Sequence, residues 1–215
     1  MVYYFTSNRE ETGRPMLLYM GKHKEENEDL IKYGRDTDVW FHVDNLSSAH
    51  VYLRLEPGET WDTLPAGVLE DCAQLTKANS IEGNKRDNIT VIYTPWTNLR
   101  KTNGMAVGQV GFKKDKLVKK VHVQTRVNAI VNRLNKTKVE KFPDFQSEKV
   151  EYEKTRTHTQ RAVHAARNKR DLEEAEAKKK AAWQQDHAYD DIFSQENLAK
   201  SSNQNRGEDW EDDFM

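Results

Sequence analysis

Cysteine is nearly missing. Cys72 is the only one in 215 residues, so no disulfide can close within the chain, which suits a reducing compartment. Long apolar runs are missing too. The strongest, MAVGQVGF over 105–112, is broken by Gly and Gln and followed by Lys113 and Lys114. It falls well short of the roughly 18 apolar residues of a membrane span and reads as a strand. The opening MVYYFTSNREE has no basic stretch leading into an apolar one, so no secretory signal is read there. There is no cysteine pair and no HExxH, the usual marks of a zinc site. From 146 to 185 there is neither Gly nor Pro. The expected compartment is the cytoplasm, with nuclear access open.

Charge is present in quantity but unevenly spread. The formal total is −1. Residues 1–112 carry 12 Lys and Arg against 16 Asp and Glu, whereas 113–141 carry 10 against 2, a local +8. Residues 142–183 are nearly balanced at 10 against 8, and 184–215 fall to 2 against 9, a local −7. A basic middle of that size points to a polyanion partner, or to an acidic end that screens it.

Short runs rich in Val, Ile, Tyr and Phe predict strands at 2–6, 16–20, 38–44, 50–55, 89–94, 107–112 and 117–123. Two helical patterns interrupt them. HKEENEDLIKYG ends at Gly34, a plausible C′ glycine, and LPAGVLEDCAQLTKANS puts Val68, Cys72 and Leu75 on one face. Strands mixed with a few helices predict one α+β domain over 1–123, built on a mostly antiparallel sheet. A basic amphipathic helix is expected over 124–141, with Val127, Ile130, Val131 and Leu134 as its apolar stripe. Phe142-Pro143-Asp144 breaks it. A charged helix follows over 146–185, whose heptad positions are mostly Ala, Arg and Lys and argue little for a coiled coil. The acidic end, 186–215, has the composition of a disordered tail.

DVWFHVDNLSSAH, 38–50, concentrates aromatics, histidines and carboxylates. Alternate strand residues share a face. Val39, Phe41, Val43, Val51, Leu53 and Leu55 therefore form an apolar set. Trp40, His42, Asp44, His50, Tyr52 and Arg54 share the opposite face. Four readings fit that second face. His42, His50 and Asp44 could hold a metal. His42 with an Asp could perform acid–base chemistry. A helix could cover the face, with His42 bonded to a loop carbonyl. Or Trp40 and Tyr52 could stack on bases while His and Arg meet phosphate.

YTPWTNLRKTNG, 93–104, adds Tyr93, Trp96, Arg100 and Lys101, aromatics interleaved with cations. It leads into Lys113, Lys114, Lys116, Lys119 and Lys120, and then Arg126, Arg133, Lys136 and Lys138. Together these favour nucleic-acid binding over a merely solvated face. No catalytic residue, cofactor or metal is expected. In the acidic end, Trp210 and Phe214 among carboxylates suggest an anchor for a protein partner.

In the order DVWFHVDNLSSAHVYL, CAQLTKANS, VIYTPWTNLRK, VGQVGF, these motifs resemble the NFACT-R domain. The resemblance implies an α+β fold, nucleic-acid binding and an association with translation, and does not imply a demonstrated catalytic reaction. The family's aspartate–aromatic–histidine signature falls on Asp38, Trp40 and His42. Its second signature falls on Tyr93, Thr94, Arg100 and Lys101. The domain also occurs in ribosome-associated quality-control factors that extend stalled nascent chains. Their N-terminal fibronectin-binding-protein-like part is not found here, so that activity is not carried over. The resulting expectation is a non-catalytic binder of RNA, such as tRNA or rRNA, meeting ribosomes or ribosome-bound factors. A protein adaptor acting through the charged helix and tail, or a DNA binder using the same basic surface, are the alternatives.

Overall fold

The computed structural model describes residues 1–9 and 12–188. Its strands are β1 (Val2–Ser7), β2 (Met16–Gly21), β3 (Asp38–Val43), β4 (Val51–Arg54), β5 (Ile89–Pro95), β6 (Leu99–Arg100), β7 (Gly111–Phe112), β8 (Lys119–Val123) and β9 (Val139–Lys141). Its helices are α1 (Lys24–Tyr33), α2 (Ala66–Ala78), α3 (Asn128–Lys136) and α4 (Phe145–Asp186). Seven strands form one antiparallel sheet in the order β8-β5-β3-β4-β2-β1-β9, and β6–β7 form a separate hairpin.

The predicted hairpin forms in register, with Trp40 opposite Tyr52 and Phe41 opposite Val51. The apolar set packs as expected: Val39, Phe41, Val43, Val51, Leu53 and Leu55 join Val68, Cys72 and Leu75 of α2 and Leu134 of α3. The opposite face is buried as well. Val2, Tyr19, Trp40, Tyr52 and Ile92 pack under Leu30 of α1 and Leu99 of β6, with Trp96, Phe112 and Phe145 alongside. A sheet covered on both sides needs apolar residues at nearly every position. DVWFHV in β3 approaches that pattern: five of its six residues are buried, all of them apolar except Asp38.

Several elements depart from the expected ones. The strand at 107–112 shrinks to Gly111–Phe112, and that at 117–123 begins at Lys119 after a 3-10 turn over Asp115–Leu117. The basic helix is only Asn128–Lys136, and Val139–Lys141 becomes a strand paired to β1. The first compact unit runs Met1–Glu153, so α3, β9 and the first turns of α4 belong to the domain instead of following it. Gly34 ends α1 but with φ −55°, not left-handed. Glycine is needed there for space: a Cβ would collide with the Trp96 indole.

Candidate nucleic-acid interface

The face carrying Trp40, His50 and Tyr52 is closed: they are 2%, 4% and 0% exposed. As expected nucleic-acid contacts, Trp40 and Tyr52 for stacking and His50 for phosphate, these three are corrected, because α1 and the β6–β7 hairpin lie over them. Trp40 Nε1 donates to His50 Nδ1 at 3.0 Å, and its ring stacks on His42 with centroids 5.3 Å apart. His42 Nδ1 lies 2.8 Å from the carbonyl of Val43, so that nitrogen carries the proton. Burial lowers the pKa of His42. Burial, with the nearby charges of His42 and Lys101, takes His50 down to about 3. Both rings are therefore neutral near pH 7. Asp44 pairs with Lys120 at 2.8 Å, leaving His42 bonded to a carbonyl. Among the described residues no three His, Cys, Asp or Glu side chains gather to hold a metal ion. Of the four readings of this face, the covered structural one fits.

Arg54 is held just as firmly. Its Nε donates to Asp38 Oδ1 at 2.9 Å, while Tyr19 OH (2.6 Å) and the Arg35 N–H (2.8 Å) donate to Oδ2. Burial works against the guanidinium, but Tyr19 and Asp38 outweigh it and raise its pKa. Asp38 is 1% exposed, so this signature aspartate neutralises a partly buried arginine and ties β3 to β4 and β2.

The second signature divides. Tyr93 is buried against Phe41, on the α2 side of the sheet. Thr94 is buried and donates to the carbonyl of Leu117 at 2.9 Å. Lys101 places its ammonium against Glu28 Oε1 (2.5 Å) and the carbonyls of Ala106 (2.8 Å) and Gln109 (2.9 Å). An ammonium has three protons, so none is left for phosphate. Glu28 stays ionised more readily than usual: partial burial opposes this, but bonds from Lys101 and the Gly108 N–H prevail. Arg100, in β6 of the hairpin, is exposed.

The basic segment is not one patch. β8 and β9 stand at opposite ends of the seven-stranded sheet, so Lys119 and Lys120 are separated from Lys138 by about 29 Å of strand spacings. Much of its charge is engaged. Arg133 bonds the buried Asp71 at 2.6 Å, Arg126 bonds Asn84 at 2.8 Å, and Lys138 pairs with Glu140 at 3.3 Å. Lys113 donates to the Thr97 carbonyl and Lys119 to that of Asp62. Lys114, Lys116 and Lys136 are exposed, and their ammonium groups have no partner among the described residues.

What remains open gathers around Trp96. Its Nε1 donates to the carbonyls of Ile31 (3.0 Å) and Leu30 (3.3 Å), capping the end of α1, while its ring stays partly exposed. The Lys149 ammonium lies 5.2 Å over that ring and 6.0 Å over Tyr33; Lys32 lies 4.8 Å over Tyr33. The turn at Trp96–Asn98 is stapled to the basic strip, since Lys113 N–H donates to Asn98 O, Lys114 N–H to Asn98 Oδ1, and Asn98 Nδ2 to Lys114 O, each at 2.9 Å. Two half-exposed aromatics thus sit among Lys32, Lys113, Lys114 and Lys149, with Arg100 on the adjoining hairpin. Such a surface can stack a base and meet phosphates. Lys32, Tyr33 and Lys149 were not anticipated. The sequence signal for Lys149 was the spacing of Phe145, Lys149 and Tyr152 at i, i+4, i+7, one helix face able to dock; Lys32 and Tyr33 had none. Trp210 and Phe214 lie outside the described residues.

The pattern defining the "NFACT protein RNA binding domain" matches residues 1–114. Along its whole length the chain is 50% identical, over 217 aligned residues, to the whole of coiled-coil domain-containing protein 25 of Bos taurus. The protein of that name from Danio rerio is 58% identical over 149 residues, 69% of this chain and 71% of that one. The homolog from Dictyostelium discoideum is 52% identical over 133 residues, 62% of this chain and 65% of that one.

Proposed function

This chain belongs to the NFACT RNA-binding-domain family, and on that premise we propose that it is a non-catalytic RNA-binding protein whose contact surface is the Trp96 face. The observation that carries the reading is the pairing of half-exposed Trp96 and Tyr33 with Lys149 and Lys32, beside the exposed cations Arg100 and Lys114. Stacking and phosphate contact are the two means by which unpaired RNA is held. His42 and His50 support a non-catalytic role, since one is bonded to a backbone carbonyl and the other to a tryptophan. RNA is placed before DNA on the family's description alone, because phosphate contacts do not discriminate. An association with ribosomes or translation quality control rests on the family resemblance, and a cytoplasmic location on the lone cysteine.

The test is salt dependence. Replacing Arg100, Lys114 and Lys116 by Ala should lower the slope of log K against log salt, by about 0.7 for each single-strand phosphate no longer neutralised. Lys101→Ala and Arg133→Ala should leave the slope alone, because those groups are bonded internally. An unchanged slope in the triple variant would remove this surface from consideration. Ribosome co-sedimentation that falls with the same variant would support the translation assignment.

One observation favours the adaptor as a second reading. Leu172 and Trp183 on α4 are 66% and 62% exposed, and eleven residues apart they share a helix face. Loss of protein cross-links in a Leu172→Ala, Trp183→Ala variant, with RNA affinity intact, would support it.

A further inference from the structure

We infer that Phe142 is a stacking platform for an unpaired nucleotide, which makes single-stranded RNA, not duplex, the form this protein prefers. The inference rests on the RNA-binding reading above and extends it to a residue that neither the family signatures nor the Trp96 surface includes. Phe142 is 82% exposed. Single exposed apolar residues are ordinary, but this one is a large aromatic held rigidly. The chain before it is bonded into the sheet, with Lys141 opposite Val2 of β1. Pro143 follows and fixes its own φ. Asp144 then caps α4, its Oδ1 accepting from the N–H groups of Gln146 (3.1 Å) and Ser147 (3.2 Å) and its Oδ2 from the Ser147 hydroxyl (2.7 Å). The ring is therefore presented from a backbone fixed on both sides, and little ordering entropy opposes binding.

The surroundings specify the ligand. Lys136, Lys138 and Lys141 precede the ring, against Glu140 alone. Lys138 and Lys141 lie over Tyr3 and Tyr4 at 3.6 and 5.4 Å. The segment leading into the ring is cationic and already uses aromatic faces. From Phe145 to Lys149 the helix rises only about 6 Å, so the start of α4, three residues after the ring, lies one turn from the lysine over Trp96. A strand could thus engage both aromatics. Bases inside a duplex have no free face, so a protruding ring rewards unpaired ones.

The experiment uses the full chain with a 12-nucleotide single-stranded RNA and a duplex of equal length, each titrated at several salt concentrations. Phe142→Ala should weaken single-strand binding about 5- to 150-fold, leave duplex binding unchanged, and leave the salt slope unchanged, because stacking releases no counterions. Phe142→Trp should keep or improve single-strand affinity. The ring is exposed, so the urea midpoint of either variant should match the wild type. Single-strand affinity of Phe142→Ala within twofold of wild type would overturn the inference, and so would an equal loss for duplex and single strand. In both cases the wild type still binds RNA, so the broader reading survives. A wild type that binds neither RNA refutes that reading itself.

Discussion

Asp38→Ala is the most informative single change, because it asks whether a signature residue recognises RNA or holds the fold. The carboxylate accepts from Arg54 Nε, Tyr19 OH and the Arg35 N–H, and its side chain has no exposure while that of Arg54 has 22%. Removing one partner of a buried ion pair costs about 3–5 kcal/mol, because the remaining charge stays uncompensated. Here the Tyr19 hydroxyl and a backbone N–H lose their acceptor as well. Urea unfolding at pH 7, followed by near-ultraviolet circular dichroism of the packed aromatics, reads the effect. With a slope of about 2 kcal/mol per molar, the midpoint should fall by about 1.5–2.5 M. Asp38→Asn, which keeps an acceptor oxygen, should fall less. Adding Arg54→Met to Asp38→Ala should recover at least half of the loss, since removing both charges removes the unpaired one. Where the variants are folded, the salt slope of RNA binding should match the wild type. A single Ala variant within about 0.5 M of wild type would refute the argument; so would a double variant worse than the single, or a reduced salt slope.

Two further outcomes follow from the same geometry. His50 titrates at about 3 in the folded chain against an ordinary 6.5; the unfolded chain binds the proton first as pH falls, so stability present above 6.5 is lost between 6.5 and 3. The slope is about 1.4 kcal/mol per pH unit, or about 2 kcal/mol by pH 5, and His50→Gln should flatten the urea midpoint between pH 7 and 5 relative to wild type. Gly34→Ala should force the Trp96 indole off the end of α1, at about 1–3 kcal/mol for overpacking, and should weaken single-strand RNA binding with it; an unchanged urea midpoint and affinity would contradict that packing.

Parity placed Phe41 and Val51 in the core and Trp40 and Tyr52 on the opposite face, and the structure agrees, with α2 on the first side. That step needs only the two-residue period of a strand. The same reasoning gave no means of telling an open face from a covered one. Trp40 and Tyr52 look identical as surface platforms and as core. Arg133 and Lys101 illustrate a second limit: as letters they are free cations, yet Asp71 and Glu28, 62 and 73 residues away, take them. Phe142 shows the reverse, since a residue legible only as a helix breaker proved to be an exposed ring.

The amino-acid order by itself determined the α+β class, the hairpin of β3 and β4, the α2 stripe and the family motifs, because each depends on residues within a few positions of one another. Only the tertiary structure decided which aromatics meet solvent and which cations keep their charge free for a ligand. α1, the β6–β7 hairpin and the start of α4 come from distant parts of the chain and together close one face of the sheet. Their junction leaves Trp96 and Tyr33 half-exposed among lysines. A buried cation must find its counter-charge or acceptor wherever the fold brings one, and those partners are distributed by topology, not by sequence distance.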